Sequence, residues 1–292
     1  MYIIFAYIYV IIAMSLVGTP ERSSMLGAII GDMAGSIYEF NNIKSRDFEF
    51  LSEACEPTDD SILTCAIARA LIDVKGRGTH LQRATIYRMK EYFLCNPLPM
   101  GGFGAKFFQW GLSDVTEPYG SWGNGAAMRI SPVAYVGNSE MEVKLLSQIV
   151  TGTTHNDLEG LKGGEVTALA VFKALHGATK EDIQKMVKSY YPGDYSVEEL
   201  HRTYTFEPSC QKTVPEGMQC FFESEDYESA IRNVMYIGGD CDTLGAIVGA
   251  VAGAYYGIPE WIQKKALSMM PDYMVEDYED FKTMYMDKEK TL

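Results

Sequence analysis

The 292-residue sequence predicts an all-α protein folded as one compact domain. Three observations carry that prediction. Apolar residues recur mainly at helical spacing, alternating strand-like runs are scarce, and Gly, Pro, Asn and Asp gather into short punctuating clusters. From Met25 onward there is no low-complexity linker and no repeat of solenoid length, so a single domain is the economical reading.

The elements follow in order. A first helix opens at Met25, with Gly27, Gly31 and Gly35 repeating every fourth residue. A second places Ile62, Ala66, Ile67, Ala70 and Leu71 on one face, and the same periodicity marks 165–175, 181–190, 227–236 and 261–269. Loops are expected around 96–104, 114–125, 191–195 and 207–217. A second glycine row, Gly245, Gly249, Gly253 and Gly257, runs through the uncharged stretch 244–258. Glycine inside a helix costs ~1 kcal/mol relative to alanine, so such rows need a reason. Residues four apart share a face, and a glycine face lets another helix approach closely. Both rowed helices are therefore expected at the centre, packed on each other. Small residues at this spacing also mark membrane helix pairs, but 244–258 is shorter than the ~20 residues a bilayer requires.

Composition narrows the function classes. Hydrophobic residues make up 47% and charged residues 22%, which excludes a disordered chain. The formal charge of −14 repels a phosphate backbone, so nucleic acid is not an expected partner, whereas divalent cations are attracted. Six cysteines, Cys55, Cys65, Cys95, Cys210, Cys220 and Cys241, form no C-x-x-C pair, which fits a reducing, cytoplasmic compartment. Residues 2–18 are apolar and uncharged, yet lack a basic leader and a good cleavage site, and are short for a span. A signal peptide, a membrane anchor and a natural start at Met25 are the three readings. The weak match to targeting signals favours the last, with 1–24 an extension outside the native fold, 25–292 the folded domain, and no stable membrane association.

Two acidic clusters stand out. Thr58-Asp59-Asp60-Ser61 precedes the apolar run 62–72, and Asp240-Cys241-Asp242-Thr243 precedes 244–258. Either cluster alone is most economically a helix cap, because hydroxyls and carboxylates satisfy free N–H groups and complement the dipole. Together they exceed what capping needs, since each supplies two carboxylates beside a hydroxyl. Such hard oxygen donors suit Mg²⁺, Mn²⁺ or Ca²⁺ rather than zinc, and without a cation converging carboxylates repel.

At these residues the sequence resembles the ADP-ribosylglycohydrolase family, which includes the dinitrogenase reductase-activating glycohydrolase and the arginine- and serine-directed ADP-ribosyl hydrolases. The resemblance covers most of the chain after Met25. It runs through Gly31-Asp32-Met33-Ala34-Gly35 with Glu39, Pro57-Thr58-Asp59-Asp60-Ser61, Gly123-Asn124-Gly125-Ala126-Ala127-Met128-Arg129, Thr154-His155, and Gly238-Gly239-Asp240-Cys241-Asp242-Thr243. Ser61 stands where the family often has Thr, and Cys241 where Ala or Thr is usual; neither change removes a ligand oxygen.

The resemblance implies an orthogonal helical bundle of the ADP-ribosylglycohydrolase type, with two Mg²⁺ or Mn²⁺ in a central cleft. It implies metal ligands at Thr58, Asp59, Asp60, Asp240, Asp242 and Thr243, catalytic roles for Glu39, Asp59 and Asp240, and an ADP-ribosylated protein or small ADP-ribosyl conjugate as partner. Glu39 is expected as a mobile carboxylate over the site, and Asp32 as a group ordering neighbouring ligands. Backbone N–H groups of Gly123-Asn124-Gly125-Ala126 are candidates to cradle the diphosphate. Ser121, Gly123, Asn124, Gly125, Met128 and His155 are the expected substrate contacts, with His155 at the adenosine end and Trp122 or Phe103 available to stack on adenine. Gly101-Gly102-Phe103-Gly104 reads more readily as a structural turn. A silent ADP-ribose binder, a crystallin-like structural relative and a Mg²⁺-dependent phosphoester hydrolase are the alternatives.

Overall fold

The glycine rows account for the centre of the structure, a computed structural model that describes residues 21–76 and 78–287. Its fourteen α-helices are α1 (Ser24–Ser36), α2 (Asp59–Asp73), α3 (Gly78–Cys95), α4 (Ala105–Leu112), α5 (Gly125–Met128), α6 (Glu140–Thr151), α7 (Leu158–Leu175), α8 (Lys180–Tyr190), α9 (Val197–Thr203), α10 (Cys210–Phe222), α11 (Tyr227–Ile237), α12 (Cys241–Tyr256), α13 (Glu260–Met269) and α14 (Asp272–Phe281). Among the described residues there is no sheet, only three isolated bridges. The all-α expectation holds.

Helices α1 and α12 run antiparallel with their backbones in direct contact. A β-carbon on Gly27 would strike the carbonyl of Gly249, one on Gly31 that of Gly245, and one on Gly35 that of Cys241. The reciprocal clashes occur at Gly245, Gly249 and Gly253. Any side chain there would force the helices apart, which is the reason both rows are glycine. Every residue of α1 is buried, as is α12 from Cys241 to Ala254. The Tyr227 hydroxyl donates to the Gly27 carbonyl at 2.7 Å, satisfying a group at the seam. Helices α7, α10 and α11 pack around α12, while α2 lies against α1 and carries α3 and α14 on its other side. The fourth member of the second row departs from the expectation: Gly257 is not in the helix but ends it, at φ 76°.

Several elements differ from the sequence reading. Residues 207–217 read as a loop, yet α10 begins at Cys210 and includes Pro215. Proline inside a helix costs ~3 kcal/mol. Burial of Val214, Met218, Cys220 and Phe221 offsets that, so packing overrides the local signal. Helices α3, α4, α6, α9 and α14 also form, none of them singled out by apolar periodicity.

Residues 1–20 lie outside the described residues, and the packed contacts begin at Glu21, four residues before the start expected at Met25. Ser23 caps α1, its hydroxyl accepting from Leu26 N–H at 3.2 Å, and Ser23 N–H donates to the Gly253 carbonyl. Ser24 N–H donates to the Tyr135 hydroxyl at 2.8 Å. The Glu21 carbonyl accepts from Ile258 N–H, and its carboxylate meets Lys282 at 2.7 Å. Residues 21–24 thus belong to the packed structure. No helix among the described residues is long and apolar enough to cross a membrane.

Candidate active site

The antiparallel seam brings three chain segments to one end of the molecule. The last turns of α1 carry Asp32 and lead to Glu39; the start of α2 carries Thr58, Asp59 and Asp60; the start of α12 carries Asp240, Asp242 and Thr243. These acidic residues, far apart in sequence, converge on the floor of a cleft of about 510 Å³.

Asp32 ties the first two segments together. Its carboxylate accepts from Thr58 N–H at 2.9 Å, from the Thr58 hydroxyl at 2.7 Å, from Ser61 N–H at 3.1 Å and from the Ser61 hydroxyl. Thr58 also caps α2, accepting from Asp60 N–H at 3.2 Å. The capping reading is thus correct for Thr58, which is fully buried and does not line the cleft. It fails at Asp240, whose side chain makes no cap bond to α12. Instead Asp240 accepts from the Asn124 amide at 2.7 Å.

Two groups of carboxylates could each hold a cation. Asp32, Asp60 and Asp242 offer oxygens within 4.8 Å of one another, and so do Glu39, Asp240 and Asp242. Asp242 belongs to both. One oxygen each of Glu39, Asp60 and Asp242 is buried without any hydrogen-bond partner. A buried unpaired carboxylate oxygen is expensive, and a divalent cation is the partner that best suits several together. Thr243 lies beside them, its hydroxyl 3.4 Å from Asp60. Asp59 keeps partial exposure on the cleft wall and belongs to neither group.

The electrostatics agree with this arrangement. Burial, and then the charges of Asp242 and Asp32, push Glu39 up to about 8. Burial raises Asp32 and Asp240 to about 6 despite the hydrogen bonds each accepts. Asp59 and Asp60 are driven well above the ordinary carboxylate range by burial and by the charge of Asp242. Asp242 is raised likewise by burial and by Asp240. Burial and mutual repulsion thus favour the protonated form throughout the cluster.

Thr58, Asp32 and Ala126 do not line the cleft; the other expected site residues do, including Ser121, Gly123, Asn124, Gly125, Met128 and His155. The backbone cradle differs from expectation. Gly123 N–H donates to the Ser121 hydroxyl, Asn124 N–H to the Pro208 carbonyl at 2.7 Å, and Ala126 N–H to the Gly123 carbonyl. Three of the four N–H groups assigned to a diphosphate are thus engaged within the protein. Folded this way, the loop presents the Asn124 amide to Asp240.

His155 is buried before α7, which Asp157 rather than His155 caps. Burial and the neighbouring Arg129 charge hold its imidazole neutral, well below its usual range. The Thr154 hydroxyl lies 2.8 Å from His155 Nδ1 and accepts from Arg129 at 2.6 Å. Phe103 packs into a cluster with Phe93 and Phe107, while Trp122 stands half-exposed at the cleft rim.

Some contributors escaped the sequence reading. Asp32 was expected to order neighbours, which it does, but it also shares a candidate cation group. Arg129 is a fully buried cation whose field partly offsets Asp59, and no role had been assigned to it. Its signal was an arginine directly after the apolar Ala126-Ala127-Met128. Tyr119 and Phe206 also line the cleft, and no local pattern marks either.

Comparison with known proteins agrees with this architecture. Residues 22–287 match the protein family described as ADP-ribosylglycohydrolase. The chain is 25% identical to ADP-ribosylhydrolase ARH3 of Mus musculus, over 82% of this chain and 84% of that protein. It is 24% identical to ADP-ribosylarginine hydrolase Tri1 of Pseudomonas putida, over 86% and 76%. It is 28% identical to ADP-ribosyl-[dinitrogen reductase] glycohydrolase of Rhodospirillum rubrum, over 71% and 72%. A solved structure titled ADP-ribosylglycohydrolase-related protein complex shares the fold, with a TM-score of 0.68 at 21% identity over 91% of this chain and 96% of that one. With a match spanning nearly all described residues and the acidic segments assembled at one cleft, the chain belongs to the ADP-ribosylglycohydrolase family.

Proposed function

We propose that this protein hydrolyses the bond joining the anomeric carbon of ADP-ribose to a protein side chain or a small conjugate, with two divalent cations, Mg²⁺ or Mn²⁺, as cofactors. One observation carries the reading: two three-carboxylate groups share Asp242 at the cleft floor and leave buried oxygens of Glu39, Asp60 and Asp242 unpaired. Asp32, Asp60 and Asp242 would hold one cation, and Asp240 and Asp242 the other, with Thr58, Asp59 and Thr243 supporting them and Glu39 beside the second. Bound there, the cations supply Lewis acidity that orients ribose hydroxyls and makes water a better nucleophile at neutral pH.

The chain's own residues do the rest. Asn124 fixes Asp240 through its amide, so this carboxylate keeps one orientation. Glu39 sits at the cleft wall beside Asp242 and serves as the acid–base group for the departing atom or the attacking water. Ser121, Gly123, Gly125, Met128 and His155 form the wall that receives the nucleotide, with neutral His155 held by Thr154.

Incubation with an ADP-ribosylated protein tests this. Intact ADP-ribose should be released with Mg²⁺ or Mn²⁺, release should stop in excess chelator, and added cation should restore it. Cleavage inside the pyrophosphate would indicate a phosphoester hydrolase instead, and unimpaired release in chelator would exclude the two-cation reading. A panel of peptides modified on arginine or serine would identify the linkage.

A further inference from the structure

We propose that Asn42 is a positioning residue that locks the turn carrying Glu39 onto the loop carrying Asp240 and Asp242. Asn42 lies three residues past Glu39, and its side-chain amide reaches two segments at once. One N–H of its Nδ2 is shared between the Tyr38 carbonyl at 2.6 Å and the Glu39 carbonyl at 3.1 Å, both in its own turn. The other N–H donates to the Gly239 carbonyl at 2.9 Å, and Nδ2 lies 3.7 Å from Cys241 Sγ. In return, Gly239 N–H donates to Asn42 Oδ1 at 2.6 Å.

This pairing with Gly239 is reciprocal, as between two peptide groups, and only a side-chain amide of this length makes it. Aspartate accepts but cannot donate, and glutamine carries the amide one carbon too far. The loop is shaped to meet it. Gly238 and Gly239 both have positive φ, 73° and 88°, and a β-carbon on Gly238 would stand 2.9 Å from Asn42 Oδ1. Lys44 secures the next part of the segment, its ammonium reaching the carbonyls of His201 at 3.0 Å and Tyr204 at 2.9 Å.

Glu39 is attached to α1 through a non-helical turn, whereas Asp240 and Asp242 are fixed by α12. Asn42 therefore sets the spacing between Glu39 and Asp242, on which the second carboxylate group depends. This assignment rests on the reading of Glu39 as the acid–base group, and it is tested by one readout that depends on turnover and one that does not.

The turnover test compares Asn42→Ala in the parent and in Glu39→Gln, on the best-cleaved peptide of the modified panel. In the parent, kcat should fall about tenfold with KM little changed, as for residues that orient a ligand from outside. In Glu39→Gln the same change should add less than twofold, because its effect passes through Glu39. A full tenfold loss in both backgrounds would overturn the assignment. The second readout is amide hydrogen exchange of peptides covering 37–43 and 237–243. Both should exchange faster in Asn42→Ala, while the rest of the molecule keeps its rates. Unchanged exchange in 237–243 would overturn the lock whether or not the protein turns over substrate. Loosened exchange in both peptides, with a parent that releases no ADP-ribose, would sink the hydrolase reading and leave the lock standing. Where Asn42→Ala does not fold, Asn42→Asp carries the same comparisons, since it keeps the acceptor for Gly239 N–H and loses the donors.

Discussion

Asp242 is the residue on which both carboxylate groups depend, whereas Asp60 serves one. Titration calorimetry with Mg²⁺ should therefore separate them: Asp60→Asn should weaken one binding event and Asp242→Asn both. Turnover should drop about a hundredfold or more in each, because metal polarisation is worth several kcal/mol. In chelator, neither variant should melt lower than the parent, and either can melt higher as repulsion is relieved. Near-parental activity would reduce these carboxylates to caps. The raised carboxyl groups also predict a pH slope. Glu39 rises from an ordinary 4.5 to about 8, and Asp32 and Asp240 from 3.8 to about 6. A group raised in the folded state binds its proton more tightly there than in the unfolded chain. Its stabilising contribution is complete below the unfolded value and is lost as pH climbs through the folded one. The cation-free protein should thus lose melting temperature steadily from about pH 4 to 8. Saturating Mg²⁺ should flatten that decline, because the cation favours the ionised cluster. A melting temperature that rises over this range in chelator would show that the cluster ionises freely.

At the scale of the elements, the seam between α1 and α12 makes the sharpest demand. Gly249→Leu returns ~1 kcal/mol of helix propensity but places a side chain against the Gly27 carbonyl. Overpacking a closed core costs ~1–3 kcal/mol, and a backbone atom cannot rotate aside, so denaturant unfolding should show a loss at or above that range. A neutral or stabilised variant would mean the two helices are not in contact there. The seam was legible in the sequence because a row of glycines has a single economical explanation. The acidic clusters were legible because two carboxylates beside a hydroxyl exceed what a helix cap uses. The start of α10 was not, since Pro215 marks a break that buried Val214, Met218 and Phe221 override. Nor could spacing show that Asn124 turns its amide inward to Asp240, because an Asn between glycines reads equally as an ordinary turn.

For the whole molecule, residues 21–24 work as a strap. They connect α1, the end of α12, Tyr135 and Lys282. A chain trimmed to begin at Met25 loses the Ser23 cap, worth about 1 kcal/mol, together with the bonds to Gly253 and Ile258. It should melt several degrees below a chain beginning at Glu21, a difference that differential scanning calorimetry resolves. Identical melting would show that the strap adds nothing. The strap joins the seam at the end opposite the cleft, so the trimmed chain should keep its cation affinity.

The seam itself works like a ruler. Where most helix pairs meet through side chains that hop among rotamers, α1 and α12 meet through carbonyl and α-carbon atoms that have no rotamers to change. Asp32 and Asp242 flank the cleft end of that contact, one on each helix, and their separation is then set by bond lengths and van der Waals radii. Neither warming nor substitutions in the outer helices give it an easy way to drift. Phe40, Trp122 and Phe206 are exposed and take no part in the contact that sets the distance between the carboxylates.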